Sequence, residues 1–186
     1  MKKIFFALIF LLSFTLYTQQ TTAAFKDVTR DHHAYDAIKW AKDSEVVNGF
    51  ADGTFKPNQR VTEQQFVSIL VNFFDLESSP EEMKKYTTKA SSSDLNYKAL
   101  AAHGVPINGY FDNTIREKTV KRGVVAQAIA YTVDGHQNLN NSITFLLDHY
   151  ISSGQNPAYE HRNLAQFFGA TNYLTRAQAV SLFYRL

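Results

Sequence analysis

The chain reads as an all-α protein built from three helix–loop–helix units, and three observations predict that class. One apolar face recurs: Phe66, Ile69, Leu70 and Phe73, then Val125, Ala128 and Ile129, then Ala179, Leu182, Phe183 and Leu186. They fall at i, i+3, i+4 and usually i+7, the spacing of a helix that buries one side. Each of these helices opens on a comparable run, Val61-Thr62-Glu63-Gln64-Gln65, Val120-Lys121-Arg122-Gly123-Val124 and Leu174-Thr175-Arg176-Ala177-Gln178. A shorter helical pattern precedes each one, marked by Tyr35, Ile38 and Ala41, by Tyr97, Leu100 and Ala101, and by Ile143, Leu146, Leu147, Tyr150 and Ile151. One such unit buries a single stripe and cannot make a core alone, so the three stripes are expected to meet.

Residues 1–24 read as a secretory signal peptide. Lys2 and Lys3 supply the positive start, Ile4 to Tyr17 the apolar stretch and Thr21-Thr22-Ala23-Ala24 the small residues of a cleavage site. The alternative is an uncleaved N-terminal anchor; no other segment is apolar enough to span a bilayer. The full chain has 19 Lys+Arg and 17 Asp+Glu, and two of those lysines lie in the signal. The remainder is balanced, which removes any bulk field for nucleic acid. Cysteine is absent. Disulfides, thiolate metal sites, cysteine nucleophiles and a lipidated cysteine are thereby excluded.

The first unit, residues 25–75, has the most informative loop, Val47-Asn48-Gly49-Phe50-Ala51-Asp52-Gly53-Thr54-Phe55-Lys56-Pro57-Asn58. Gly49 and Gly53 are read as positions with backbone angles barred to other residues, Asp52-Gly53 as a turn and Pro57 as a fixed φ before the next element. Thr62 and Gln65 form a capping box for the second helix. Residues 76–94 read as a polar connector, in which Ser79-Pro80-Glu81-Glu82 can start a short helix. The second unit, residues 95–134, carries Ile107-Asn108-Gly109-Tyr110-Phe111-Asp112-Asn113-Thr114-Ile115, with Asn113 in the place of Gly53 and expected to keep its left-handed turn. Its helix start has no capping box, because Lys121 stands where the first unit has Thr62 and Val124 where it has Gln65. The third unit, residues 135–186, lacks the glycine–aromatic loop but ends on the cap Thr175-Arg176-Ala177-Gln178.

The run Phe25-Lys26-Asp27-Val28, His32, Ala34-Tyr35, Ala37-Ile38, the Gly-Phe-x-Asp-Gly-Thr-Phe loop and the Val61-Thr62 cap together resemble the S-layer homology domain. This is a module with which bacterial surface proteins grip the cell wall. The resemblance is strongest over 25–74, moderate over 97–132 and confined largely to the end of 143–186. It implies three repeats in a pseudo-threefold prism around a shared helical core. It also implies a secreted protein of the cell wall or cell surface, held non-covalently by an acidic, often pyruvylated, secondary cell-wall polysaccharide linked to peptidoglycan. The grooves between repeats would take the ligand.

Carried over position by position, the groove arginine of the family is Arg176 in the third repeat and Arg122 in the second, flanked by Thr175 and Lys121. A guanidinium can fork onto a carboxylate, and a helix N-terminus adds partial positive charge. The plain alternative is a surface charge at a helix start. Yet a cation there opposes the macrodipole, so a structural choice would favour an acid. In the first repeat the position is Glu63, of the wrong sign for an anion, and His33 stands where the family usually has Trp. Gly49, Asp52, Gly53 and Thr54, with Gly109, Asp112 and Thr114, match groove positions, or simply build the turns. Trp40 and Tyr35 could stack on sugar, although their place beside Ile38 suits core packing better.

Catalysis finds no support. His32 and His33 are adjacent and are expected to point apart, a poor chelate, and His103, His136, His149 and His161 lack helical ligand spacing. No nucleophile elbow, phosphate loop or paired carboxylate set is present, so neither an enzyme nor a cofactor is expected. The expected function is wall attachment. The rival is an extracellular module that reuses the scaffold to bind a protein partner or a wall enzyme.

Overall fold

A computed structural model describes residues 24–77, 92–135 and 138–186. The signal peptide (but for Ala24) and the helix start at Ser79 to Glu82 lie outside the described residues. The described chain is helical, with eight α-helices, a 3₁₀ turn at Pro157–Tyr159 and no β-strand among the described residues. The helices are α1 (Tyr35–Asp43), α2 (Glu63–Phe74), α3 (Ser92–Ala102), α4 (Asn113–Arg116), α5 (Arg122–Asp134), α6 (Leu139–Asp148), α7 (Leu164–Phe168) and α8 (Arg176–Tyr184).

The caps explain where the long helices start. Thr62 Oγ1 accepts from the Gln65 N–H and the Gln65 side chain accepts from the Thr62 N–H, a complete capping box. Thr175 and Gln178 repeat it at α8. Lys121 makes no such bond at α5. Asn138 and Asn163 cap α6 and α7 through their side chains.

Packing is cyclic. Helix α2 lies on α3, α5 lies on α6, and α8 closes back on α1. The second helix of each unit thus covers the first helix of the next, and the last unit covers the first. Most of the apolar face read from the sequence is buried: Phe66, Ile69, Leu70, Ala128, Ile129, Leu182 and Phe183 lie in one hydrophobic cluster, whereas Phe73 is half-buried and Leu186, beyond the end of α8, is exposed. Phe183 is the meeting point of its aromatic part, with ring centroids 5.0 Å from Phe73 and 6.2 Å from Phe66. Trp40 packs against Phe73 and Tyr184, at 5.9 and 5.6 Å. It is therefore a packing residue between α2 and α8.

Three isolated antiparallel bridges join the stretches just before α2, α5 and α8. Thr62 pairs with Thr119, Lys121 with Tyr173, and Arg60 with Thr175. They form a closed triangle of backbone, one side for each pair of units.

Three expectations differ from what the structure shows. Asn113 is not left-handed; it is the first residue of α4, because Asp112 accepts from the Thr114 N–H and starts a helix there. Gly53 does have positive φ, +80°, but Gly49 does not. Gly49 is needed for space, since a Cβ would run into the Phe25 ring and lie 2.9 Å from the Thr54 carbonyl oxygen. His32 and His33 do not point apart: they sit in a turn before α1 with rings stacked, centroids 4.4 Å apart. No group of metal-ligating side chains is found among the described residues.

Leu70 is fully buried on α2. Leu70→Ala should cost about 2–5 kcal/mol, read as one shifted transition in urea, since all three units share the cluster. Thr175→Ala should cost about 1 kcal/mol by loss of the cap. Lys121→Ala should shift the same urea midpoint less, having no cap bond to lose.

Candidate functional site at the seams between units

The first amides of a helix have no partner inside it. Here the neighbouring unit supplies them. The Glu63 N–H donates to the Lys118 carbonyl at 2.9 Å, Arg122 N–H to Asn172 at 2.8 Å, and Arg176 N–H to Gln59 at 2.8 Å. The next amide follows in two seams, Gly123 N–H to Ala170 at 2.9 Å and Ala177 N–H to Pro57 at 3.0 Å. These bonds correct one sequence expectation. The helix N-termini are already occupied by backbone carbonyls, so positive character at the seams has to come from side chains.

The same bonds aim the first side chain of each helix into the loop of the next unit. Arg176 Nε donates to the Phe55 carbonyl at 2.7 Å, and its guanidinium lies 4.8 Å from the Phe50 ring and 4.7 Å from the Phe55 ring. Arg122 Nε donates to the Phe168 carbonyl at 3.1 Å, and its Nη2 to Ser152 Oγ at 3.0 Å and the Ser153 carbonyl at 3.2 Å. The Phe168 ring sits 4.4 Å from that guanidinium. Both arginines are only 6 % exposed. They are not the surface charges of the plain alternative. Neither forms an ion pair among the described residues. Burial alone lowers the Arg122 pKa to about 10. Burial also lowers that of Arg176, opposed by the field of Asp27.

The Asp27 carboxylate has a separate task. It accepts from the Phe55 and Lys56 N–H groups, both at 2.7 Å, and so holds the first loop in place for Arg176. Lys56 then takes φ +58°, a strain that these bonds stabilise.

Glu63 does not line an open groove. It is 2 % exposed, and its Oε1 accepts from the Gly109 N–H at 2.7 Å and the Tyr97 hydroxyl at 2.9 Å. Where an arginine reaches loop carbonyls, the glutamate reaches a loop N–H instead. Burial, then Glu63, pushes the Tyr97 phenol up, and the same two causes push Tyr110 up to about 12. The cation of this seam is Arg116, from within the second unit, which sequence reasoning missed. Its Nε donates to the Gly109 carbonyl at 2.7 Å, Nη2 to the Tyr110 carbonyl at 2.9 Å, and Nη1 meets Asp94 at 2.6 Å. Its guanidinium lies 4.0 Å from the Tyr97 ring. A glutamate at a position that carries arginine in the other two units was the signal that a cation had to come from elsewhere.

The aspartates of both loops bond within their own turns. Asp52 Oδ1 accepts from the Thr54 N–H and hydroxyl, and Asp112 Oδ1 does the same with Thr114. These bonds, hydroxyl first, hold both exposed carboxyls below the usual range. Gly109 stands at a close approach, since a Cβ there would meet Glu63 Oε1, lie 2.7 Å from Arg116 Cγ and 3.0 Å from the Tyr97 hydroxyl.

The sequence of the first unit, with its glycine–aromatic loop and capped second helix, is similar to known proteins. Residues 24–67 match the S-layer homology domain. The chain is also 33% identical over 72 residues to cell surface glycoprotein 1 of Acetivibrio thermocellus, a match covering 39% of this chain and 3% of that protein. It is 27% identical over 110 residues to the cellulosome-anchoring protein of the same organism, covering 56% and 24% respectively. An endoglucanase of a Bacillus species is 32% identical over 128 residues, 62% of this chain and 13% of the enzyme. The chain thus spans under a quarter of the length of each relative. The matched S-layer homology domain contains Asp27, Phe55 and Glu63, and so one half of two seams.

Gly109→Ala should displace Glu63 and Arg116 and cost about 1–3 kcal/mol, as overpacking does. A urea melt of the purified variant checks it, and unchanged stability would mean that the Gly109 close approach is not needed.

Proposed function

We propose that this chain is an exported, non-enzymatic wall-binding protein that attaches through its seams to an acidic secondary cell-wall polysaccharide. Three repeats, at 25–75, 95–134 and 135–186, would stand as a prism, an arrangement supported by the cyclic packing and the closed triangle of bridges. The observation that carries the reading is the burial of Arg122 and Arg176 without a carboxylate partner among the described residues. Buried charges are ordinarily paired. Arg122 has carbonyls, a hydroxyl and a ring around it, and Arg176 carbonyls, two rings and only the field of Asp27; both suit an anion brought by a ligand, and a pyruvate ketal or uronic acid carries the planar carboxylate that a guanidinium forks onto. The S-layer homology match and the names of the relatives, a surface glycoprotein and an anchoring protein, support attachment at the cell surface. The endoglucanase supports no activity here. Its match covers 13% of that enzyme.

Thr175 and Lys121 belong to the proposed sites as neighbours of the arginines. Gly49, Asp52, Gly53, Thr54, Gly109, Asp112 and Thr114 belong as the turns that shape their walls.

Arg176→Ala should weaken co-sedimentation with purified cell walls by about one to two decades of affinity, since a charge-assisted hydrogen bond contributes about 1.5–3 kcal/mol. Arg122→Ala should act in the same direction, and circular dichroism should show the helices retained. Acid extraction of secondary polymers from the walls should abolish the binding of the unaltered protein. Unchanged sedimentation of the double variant would leave both arginines as structural clasps only.

A further inference from the structure

We infer that the seam between the first and second units is closed to acidic ligands by the chain itself, with the Asp94 carboxylate standing where a ligand carboxylate would stand in the other two seams. Three guanidiniums occupy comparable places. Each donates its Nε to a loop carbonyl, Phe55 for Arg176, Phe168 for Arg122 and Gly109 for Arg116. Each faces an aromatic ring, Phe55, Phe168 or Tyr97. They differ at the remaining nitrogens. Arg122 and Arg176 meet no carboxylate among the described residues, whereas Arg116 Nη1 holds Asp94 Oδ1 at 2.6 Å.

Asp94 is well placed for that part. It lies in the first turn of α3, where the helix dipole favours a carboxylate, and its side chain is 36% exposed while that of Arg116 is 8% exposed. The anion therefore approaches the guanidinium from the solvent side, as a ligand would. Glu63 adds a second negative charge beneath the same loop, on the Gly109 N–H. With both carboxylates in place, Arg116 has no net charge to offer. Among the described residues, three guanidiniums hold loop carbonyls at the seams, and two of them meet no carboxylate. Only the nature of the ligand rests on the wall-glycan reading; the internal pairing does not.

The test is nuclear magnetic resonance of the arginine Nε–Hε groups during titration with D-glucuronate, each signal assigned by single Arg→Lys variants. In the unaltered protein the Arg122 and Arg176 signals should move and saturate while that of Arg116 stays still. In Asp94→Ala the Arg116 signal should become responsive, with a saturable shift comparable to the other two. If Asp94→Ala fails to fold, as judged by circular dichroism, Asp94→Asn removes the charge with less disturbance and should show the same gain. An Arg116 signal that follows glucuronate in the unaltered protein would overturn the inference. So would one that stays still in a folded Asp94 variant. Silence of Arg122 and Arg176 with a responsive Arg116 in Asp94→Ala would instead sink the wall-glycan reading of those seams and leave the closed seam standing.

Discussion

The structure depends on the need of each second helix to find acceptors for its first amides, which the neighbouring unit's backbone provides. Glu63, Arg122 and Arg176 are bound through their N–H groups to Lys118, Asn172 and Gln59. Once those bonds are made, the direction of the first side chain follows, and it enters the next loop. The close approaches follow in turn. Gly109 has no room for a methyl group because Glu63 and Arg116 already fill the space. The first loop is tight for another reason, since Phe25 lies over Gly49 and Phe55. Helix capping, loop composition and inter-unit packing are thus one constraint seen at three scales.

That constraint also explains how an arginine can be buried at a helix start, where the macrodipole disfavours it. The amides that would repel it are neutralised by carbonyls, and further carbonyls accept from its Nε. Ring faces supply negative potential on one side. The three seams balance their charges differently. Asp27 lends its field to Arg176, Arg122 has only dipoles and Phe168, and Glu63 hands the cationic role to Arg116. A carboxylate and an arginine can exchange places across a seam because a peptide loop presents both an N–H and a carbonyl.

Much of the fold was legible in the chain. The helix faces, the Thr62 and Thr175 caps and the core position of Leu70 and Phe183 all follow from period and capping chemistry, which are local. Apart from Asn113 and the His32–His33 turn, which are local, the errors lie where a residue answers to a distant partner. Asn113 has left-handed tolerance, but Asp112 starts a helix that turns Arg116 toward Gly109. Gly49 was credited with special backbone angles, yet it is small because Phe25 is large and near. Glu63 looked like a repelling wall, and only the Tyr97 hydroxyl and Gly109 N–H show what it holds. Phe168 stands in for Phe55 in a loop whose sequence has lost the pattern, because what Arg122 reads there is a main-chain carbonyl. Backbone acceptors leave no mark in the identity of the residue that carries them.

The Arg176–Phe55 clasp spans 121 residues of chain. It cannot form until the last helix is present. Polypeptides emerge from synthesis N-terminus first, so the best-formed unit is made earliest and finished last. Until then its loop carbonyls, the Phe50 and Phe55 rings and one flank of α1 wait uncovered. Contacts of such long range slow the final step of folding, since the intervening chain must close as one large loop before they return any stability. A chain cut short before residue 176 would leave the first unit open on that side, without the guanidinium that covers the Phe50 and Phe55 rings.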